Sequence, residues 1–174
     1  MRSTNILKVM MSLMALAMVM ALGINRADAA RGSDYSFSAT EMFSGETMDL
    51  EALTAEAPLV FHIFSPECPH CQRHMPYVKN LYGKLDGKAV NFLMYSVDSS
   101  ERETQRFMDS RSLSMPVVVD GNGQFSELFK RDGWPTTVVL GKGGKLIGTC
   151  DTNGPSYVDE VVELIAKAQK DYYN

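Results

Sequence analysis

The segment PLVFHIF, residues 58–64, is a nearly unbroken apolar run, and it most restricts how this chain can fold. Such a run is typical of a β-strand that other elements cover on both faces of its sheet. Apolar strands alternate along this chain with segments of helical pattern, which predicts a mostly parallel sheet flanked by helices. The chain is therefore predicted to be an α/β protein.

Turn residues and apolar periodicity divide the rest of the chain into elements. The last two predicted strands form a hairpin, so the central sheet is predicted to be mixed. The predicted strands are two short ones around Gly45, then 58–64, 89–98, 115–120, 135–140 and 145–150, and a turn is predicted at 121–123. The predicted helices are 69–85 with a kink at Pro76, 101–110, a short one near 125–129, and a last one with Val158, Val161, Val162, Ile165 and Ala168 on one face.

Residues 1–29 have the pattern of a signal peptide. Two basic residues precede or border an apolar run, Val9–Leu22, and Ala27-Asp28-Ala29 gives the small-x-small pattern of a cleavage site. A membrane-spanning helix needs about 20 apolar residues, and this run is shorter. We therefore predict cleavage after Ala29 and export to the periplasm, with an uncleaved membrane anchor as the alternative.

Residues 30–174 are predicted to form one domain, because the segment has the length of a single domain and contains no repeat or linker. The leader carries three basic residues and one acidic residue, so the net charge of −4 for the chain becomes −6 for residues 30–174. An acidic domain without a basic cluster is not expected to bind nucleic acid.

The tetrapeptide Cys68-Pro69-His70-Cys71 holds two of the three cysteines of the chain. Covalent haem attachment requires histidine directly after the second cysteine, and Gln72 stands there. Structural zinc sites use four ligands, usually in two close pairs, whereas Cys150 is alone and far along the chain. A disulfide closing so short a loop would stabilise the fold very little. These exclusions leave a redox-active dithiol.

The two sulfurs are predicted to have different roles because they differ in position relative to the following helix. Cys68 lies just before the predicted helix start, where free backbone N–H groups and the positive dipole end stabilise a thiolate. A thiolate is the attacking species in thiol–disulfide exchange. Cys68 is therefore predicted to be the nucleophile, and Cys71, one turn inside the helix, is predicted to resolve the mixed disulfide.

The segments LVFHIFSPECPHCQRHMP, MPVVVD and GWPTTVVLGKGGKLIG together resemble the TlpA/ResA-like exported thiol–disulfide oxidoreductases of the thioredoxin superfamily. The resemblance runs from about Phe37 to the last helix. It implies a thioredoxin-like fold with an N-terminal β-hairpin and an extra strand–helix insertion, which suits the 63 residues between Cys71 and Pro135. That spacing is too short for the inserted helical domain of the DsbA oxidases, although these share the Cys-Pro-His-Cys tetrapeptide.

The resemblance also implies site residues beyond the dithiol. Pro135 is expected to follow a cis peptide bond beside Cys68 and, with Trp134, to bind an extended substrate segment. His62 stands six residues before Cys68, where thioredoxins carry a buried acid. It is interpreted either as a core histidine or as a proton acceptor for Cys71.

Four further residues lie near the motif or in a later strand, and each could have either a structural or a functional role. We interpret His70 as functional, because a protonated ring can stabilise the Cys68 thiolate. Glu67 and His74 are expected to point into solvent. Cys150 is expected to be a small buried strand residue rather than a redox partner.

The predicted function is that of a monomeric, exported thiol–disulfide oxidoreductase with no bound cofactor or metal. The resemblance implies reduction of disulfides, for example on apocytochrome c or copper-site proteins, with electrons from a membrane thiol transporter. The tetrapeptide instead favours a disulfide oxidase or isomerase. An alternative of another class is a copper(I) metallochaperone binding through Cys68 and Cys71, with a histidine or Met75 assisting. Met75 is better explained as packing beside the site.

Overall fold

A computed structural model describes residues 38–120 and 133–173 of the chain. The predicted signal peptide, the turn at 121–123 and the helix near 125–129 lie outside the described residues. The strands are β1 (Ser38–Thr40), β2 (Thr47–Asp49), β3 (Leu59–Phe64), β4 (Asn91–Ser96), β5 (Val117–Val119), β6 (Thr136–Leu140) and β7 (Leu146–Cys150). The helices are α1 (Leu50–Ala55), α2 (Pro69–Leu85), α3 (Glu101–Ser110) and α4 (Tyr157–Tyr173).

The central sheet has the strand order β5-β4-β3-β6-β7. β3, β4 and β5 are parallel, whereas β6 is antiparallel to β3 and β7 is antiparallel to β6. The apolar run that was predicted to be buried on both faces is the middle strand, β3, and all of its residues are buried. The predicted mixed sheet is confirmed. In chain order, α3 and β5 lie between β4 and the hairpin formed by β6 and β7. They are the extra strand and helix that the resemblance implies.

The side chains of β3 alternate between the two faces of the sheet, as strand geometry requires. Val60 and Phe64 belong to the apolar cluster that contains the buried residues of α2 and α4. Phe61 and Ile63 belong to the cluster on the other face, which contains Leu50 of α1. Because His62 alternates with Phe61 and Ile63, its side chain lies on the face that α2 covers.

The N-terminal hairpin is confirmed, but the helix that follows it was not predicted. β1 and β2 pair antiparallel around a turn that includes Gly45, whose φ of +73° suits glycine. α1 begins directly after β2, where the Asp49 carboxylate accepts a hydrogen bond from the Ala52 N–H at 2.9 Å. A helix of six residues is too short to produce a periodic apolar pattern.

The last helix, α4, buries a narrower face than the sequence predicts. Val158, Val161, Ile165 and Ala168 are buried, but Val162 is 38% exposed. Val162 follows Val161 directly, and one residue along a helix rotates a side chain by about 100°, away from the sheet. Within the described residues, no helix combines the length and apolar character that a bilayer crossing requires.

Candidate active site

The dithiol lies at the junction of β3 and α2, and the local sequence determines where the helix begins. Pro69 occupies the first turn, which its fixed φ and missing N–H suit, so Cys68 becomes the N-cap residue. Cys68 is half-buried and Cys71 is fully buried, and both are free thiols. The structure therefore places Cys68 at the open helix end and Cys71 one turn inside, as predicted.

Burial sets the protonation state of Cys71. It raises the pKa of the Cys71 thiol to about 12, and a hydrogen bond with the Cys68 side chain contributes in the same direction. A thiol with this pKa keeps its proton at neutral pH. Cys71 is thus held in the form that cannot attack a disulfide until its surroundings change.

The loop before β6 lies directly against the nucleophile. The Trp134–Pro135 peptide bond is cis, as the resemblance implied. The Cys68 Sγ lies 3.5 Å from the Trp134 carbonyl oxygen and donates its hydrogen bond to it. Trp134 is partly buried and packs against the apolar clusters on both faces of the sheet. The expected juxtaposition of Trp134, Pro135 and Cys68 is therefore present.

A buried polar cluster lies under α2, between β3, β6 and α4. His62 is fully buried, and its Nδ1 lies 2.8 Å from the Thr137 hydroxyl, which lies 2.9 Å from the Tyr157 hydroxyl. The His74 ring stacks on the His62 ring at a centroid distance of 5.7 Å and meets the Tyr157 ring edge-on at 4.3 Å. His62 Nε2 and His74 Nδ1 have no hydrogen-bond partner among the described residues.

The prediction that His74 points into solvent is wrong. Only 3% of its surface is exposed. His74 follows Cys71 by three residues, so both side chains lie on the face of α2 that packs on the sheet. The polar character of the side chain suggested a surface position, but helix periodicity assigns it to the buried face.

Both buried imidazoles are poor bases. Burial, with a smaller contribution from the charge of His74, lowers the pKa of His62 to about 3, and burial lowers the pKa of His74 to about 4. Proton transfer from the Cys71 thiol to His62 is therefore strongly unfavourable in this state, because each unit of pKa difference is worth about 1.4 kcal/mol. Of the two interpretations of His62, this favours the core histidine.

The charged groups around the tetrapeptide lie in solvent. Glu67 is exposed, as expected. His70 is also exposed, and its Nδ1 accepts a hydrogen bond from the Arg73 guanidinium at 3.1 Å. Because a guanidinium only donates, the cationic side chain that this contact brings to the start of α2 is that of Arg73.

Cys150 and Met75 occupy the structural roles predicted for them. Cys150 is buried at the end of β7, where burial raises the pKa of its thiol and its Sγ donates to the Glu160 carboxylate at 3.4 Å. Met75 is buried in the apolar cluster under α2. Among residues 38–120 and 133–173, no three histidine, cysteine or acidic side chains come together as a set that could hold a metal ion.

Thr137 and Tyr157 are the site residues that sequence reasoning missed. Thr137 lies in the strand that follows Pro135, and Tyr157 is the first residue of α4. Thr137 ends the GWPTT part of the motif but was assigned no role, and Tyr157 carries no motif signal. Only the pairing of β3 with β6, which sets Thr137 directly opposite His62, brings the three hydroxyl and imidazole groups together.

The amino-acid sequence of this chain is similar to those of known thiol-disulfide oxidoreductases. A model of the Redoxin family matches residues 35–165. The thiol-disulfide oxidoreductase ResA of Halalkalibacterium halodurans is 28% identical over 127 residues, which cover 72% of this chain and 71% of the relative. The ResA of Oceanobacillus iheyensis is 28% identical over 107 residues, which cover 62% of this chain and 55% of the relative.

Two solved structures have the same fold. StoA from Bacillus subtilis matches 76% of this chain and 98% of its own, with a TM-score of 0.63 and 18% identity. A thioredoxin-family thiol:disulfide interchange protein from Chlorobium tepidum matches 80% of this chain and 97% of its own, with a TM-score of 0.64 and 18% identity. The chain therefore belongs to the Redoxin family, among the TlpA/ResA-like thiol–disulfide oxidoreductases of the thioredoxin superfamily.

Proposed function

We propose that this protein is an exported, monomeric, periplasmic reductase of protein disulfides, with Cys68 as nucleophile and Cys71 as resolving thiol. The observation that carries the proposal is the difference between the two sulfurs: Cys68 is half-buried at the N-cap of α2, and Cys71 is fully buried one turn inside it. Only Cys68 can contact a large client protein. Cys71 can reach only the sulfur of Cys68.

The reaction consists of two exchanges. The Cys68 thiolate attacks one sulfur of a client disulfide, the client S–S bond breaks, and the other client sulfur leaves as a thiolate. Cys71 then gives its proton to the client thiolate that has just left and attacks the Cys68 sulfur, which releases the second client thiolate and forms the Cys68–Cys71 disulfide. The client gains two electrons, and two electrons from a membrane thiol transporter would restore the dithiol. Apocytochrome c and copper-site proteins are the clients that the resemblance suggests.

Trp134 and Pro135 are proposed to bind the client beside the nucleophile. The Trp134 carbonyl, 3.5 Å from the Cys68 Sγ, belongs to a partly buried residue that directly follows the exposed Gly133. An extended client segment could pair with such backbone as an added strand would. The Cys68–Trp134 contact would then be exchanged for contacts with the client.

The reduction potential tests the direction of electron flow. Thioredoxin lies near −270 mV and the oxidase DsbA near −120 mV. The Arg73 guanidinium that donates to His70 brings positive charge near the start of α2, which favours the thiolate and shifts the potential upward. We expect a value between those two limits, measured by equilibration with glutathione. A potential at or above about −130 mV would instead identify the second candidate, a disulfide oxidase or isomerase.

The dependence of this potential on pH tests the state of Cys71. Reduction of the disulfide must supply the proton that Cys71 keeps, since the pKa of that thiol is raised to about 12. Because at least one proton is taken up with the two electrons, the equilibrium constant for reduction of the disulfide changes at least tenfold per pH unit. The reduction potential should therefore fall by at least about 30 mV per pH unit up to about pH 10. Equilibration with dithiothreitol between pH 6 and 10 measures it. A slope that drops clearly under about 30 mV per pH unit below pH 9 would contradict the proposed resolving thiol.

A further inference from the structure

A small cavity lies between α2 and the chain that follows α3, and the residue directly after Cys71 lines it. Its volume is about 240 Å³. Pockets for small ligands and cofactors usually measure roughly 300–1,000 Å³, so this cavity has room for one large side chain. We call it the notch. It is lined by Gln72, Met75, Pro76, Lys79, Arg111 and Leu113.

The notch has an apolar floor. Met75 and Leu113 are buried, and Pro76 is an exposed residue on its wall. Methionine is flexible and polarisable, which suits it to contact side chains of different shapes. The interior of the notch is therefore suited to an aliphatic or aromatic side chain.

The notch is connected to the segment that precedes the nucleophile. Gln72 lines it and directly follows Cys71, and its side-chain amide donates to the Pro66 carbonyl oxygen at 2.9 Å. Pro66 lies two residues before Cys68. Pro76, which lacks an N–H, cannot donate to the Gln72 carbonyl oxygen within the helix.

Two cationic side chains line the notch. Lys79 is exposed and donates to the Ser112 carbonyl oxygen at 3.1 Å. The Arg111 guanidinium lies over the Phe107 ring, 4.2 Å from its centroid. In the part of the chain that the structure describes, neither cation forms an ion pair with a carboxylate.

We propose that the notch is a docking site for client proteins, which binds an apolar side chain adjacent to an acidic residue. The apolar side chain fills the cavity, and the carboxylate pairs with Lys79 and Arg111. Complementary charge of this kind orients a partner and rejects partners of like charge. The proposal rests on the proposed function, because it assigns the notch to the clients that Cys68 reduces.

Peptide substrates test this docking site. Each peptide would have twelve residues and one cysteine, and that cysteine would form a mixed disulfide with mercaptoethanol. Each peptide would also contain one test pair, which is Leu-Glu, Leu-Gln or Ser-Glu. The pair would lie two, four or six residues from the cysteine. The full reduced protein releases the peptide thiol at a measured second-order rate. At one spacing or more, we expect Leu-Glu to react about three- to tenfold faster than either other pair, as one or two exposed ion pairs allow. This advantage should shrink in 0.5 M salt.

A charge reversal and a matched control locate the effect. In the double variant Lys79→Glu/Arg111→Glu, the ratio of the Leu-Glu rate to the Leu-Gln rate should fall to one or below. The double variant Lys84→Glu/Lys88→Glu makes the same charge change at the end of α2 and just after it, but neither lysine lines the notch. This control should keep the wild-type ratio.

Three outcomes would overturn the proposal. Equal rates for Leu-Glu and Leu-Gln at every spacing would refute the docking site and leave the reductase intact. If neither the peptides nor the neutral disulfide 2,2′-dithiodipyridine were reduced, the proposed function would fail and the docking site with it. If the wild type sedimented as a dimer and the double variant as a monomer, the notch would bind a second copy of the chain instead.

Discussion

Cys71→Ser is expected to accumulate covalent complexes with disulfide-containing proteins, and Cys68→Ser is expected to accumulate none. Without Cys71, the mixed disulfide on Cys68 has no internal thiol to release it. Without Cys68, the remaining thiol of the pair is fully buried, and burial raises its pKa to about 12, so it neither meets clients nor ionises. Complexes would be counted on non-reducing gels after expression of the full chain.

A third thiol provides the control for this experiment. Cys150 is buried at the end of β7, and its Sγ donates to the Glu160 carboxylate. Cys150→Ser in the Cys71→Ser background should leave the amount of trapped complex unchanged. Iodoacetamide labelling of the reduced wild-type protein at pH 6 gives an independent measure, with Cys68 expected to react first. Faster labelling of Cys71 would reverse the assigned roles.

The sequence predicts the scaffold of the site well because that scaffold depends on local signals. The apolar run 58–64 can be buried only inside a sheet, and Pro69 suits a helix start at one position. Together they fix Cys68 at the N-cap, which the structure has. The cis bond before Pro135 has no such local signal, and its prediction rested on the resemblance alone.

The residues that were missed depend on contacts between elements distant in sequence. His74 was assigned to solvent from its polarity, although its spacing from Cys71 places it on the packed face of α2. Tyr157 and Thr137 join His62 only because β6 pairs with β3 and α4 packs on the same face. A pattern of apolar and polar residues along one chain does not encode such a cluster. It appears only when the strands and helices are brought together.

The buried histidines should make the fold sensitive to mild acid. In the unfolded chain a histidine has a pKa near 6.5, whereas in the fold the pKa of His62 is lowered to about 3 and that of His74 to about 4. Between pH 6.5 and 4 the unfolded state therefore binds more protons, and the free energy of unfolding falls as pH falls. At pH 6.5 an unfolded histidine is only half protonated, and the contribution of each histidine approaches about 1.4 kcal/mol per pH unit only below that pH. A drop from pH 6.5 to 5 should therefore remove on the order of 3 kcal/mol.

Urea unfolding of wild type and two single variants at pH 6.5 and pH 5 measures this effect. His74→Leu replaces a buried imidazole whose Nδ1 has no partner among the described residues, so it should remove about half of the acid sensitivity. His70→Gln changes the exposed histidine of the same helix and should keep the wild-type difference. This window lies above the ordinary carboxylate range, so acidic side chains contribute little. Equal acid sensitivity in wild type and His74→Leu would show that the buried imidazole pair is not its source.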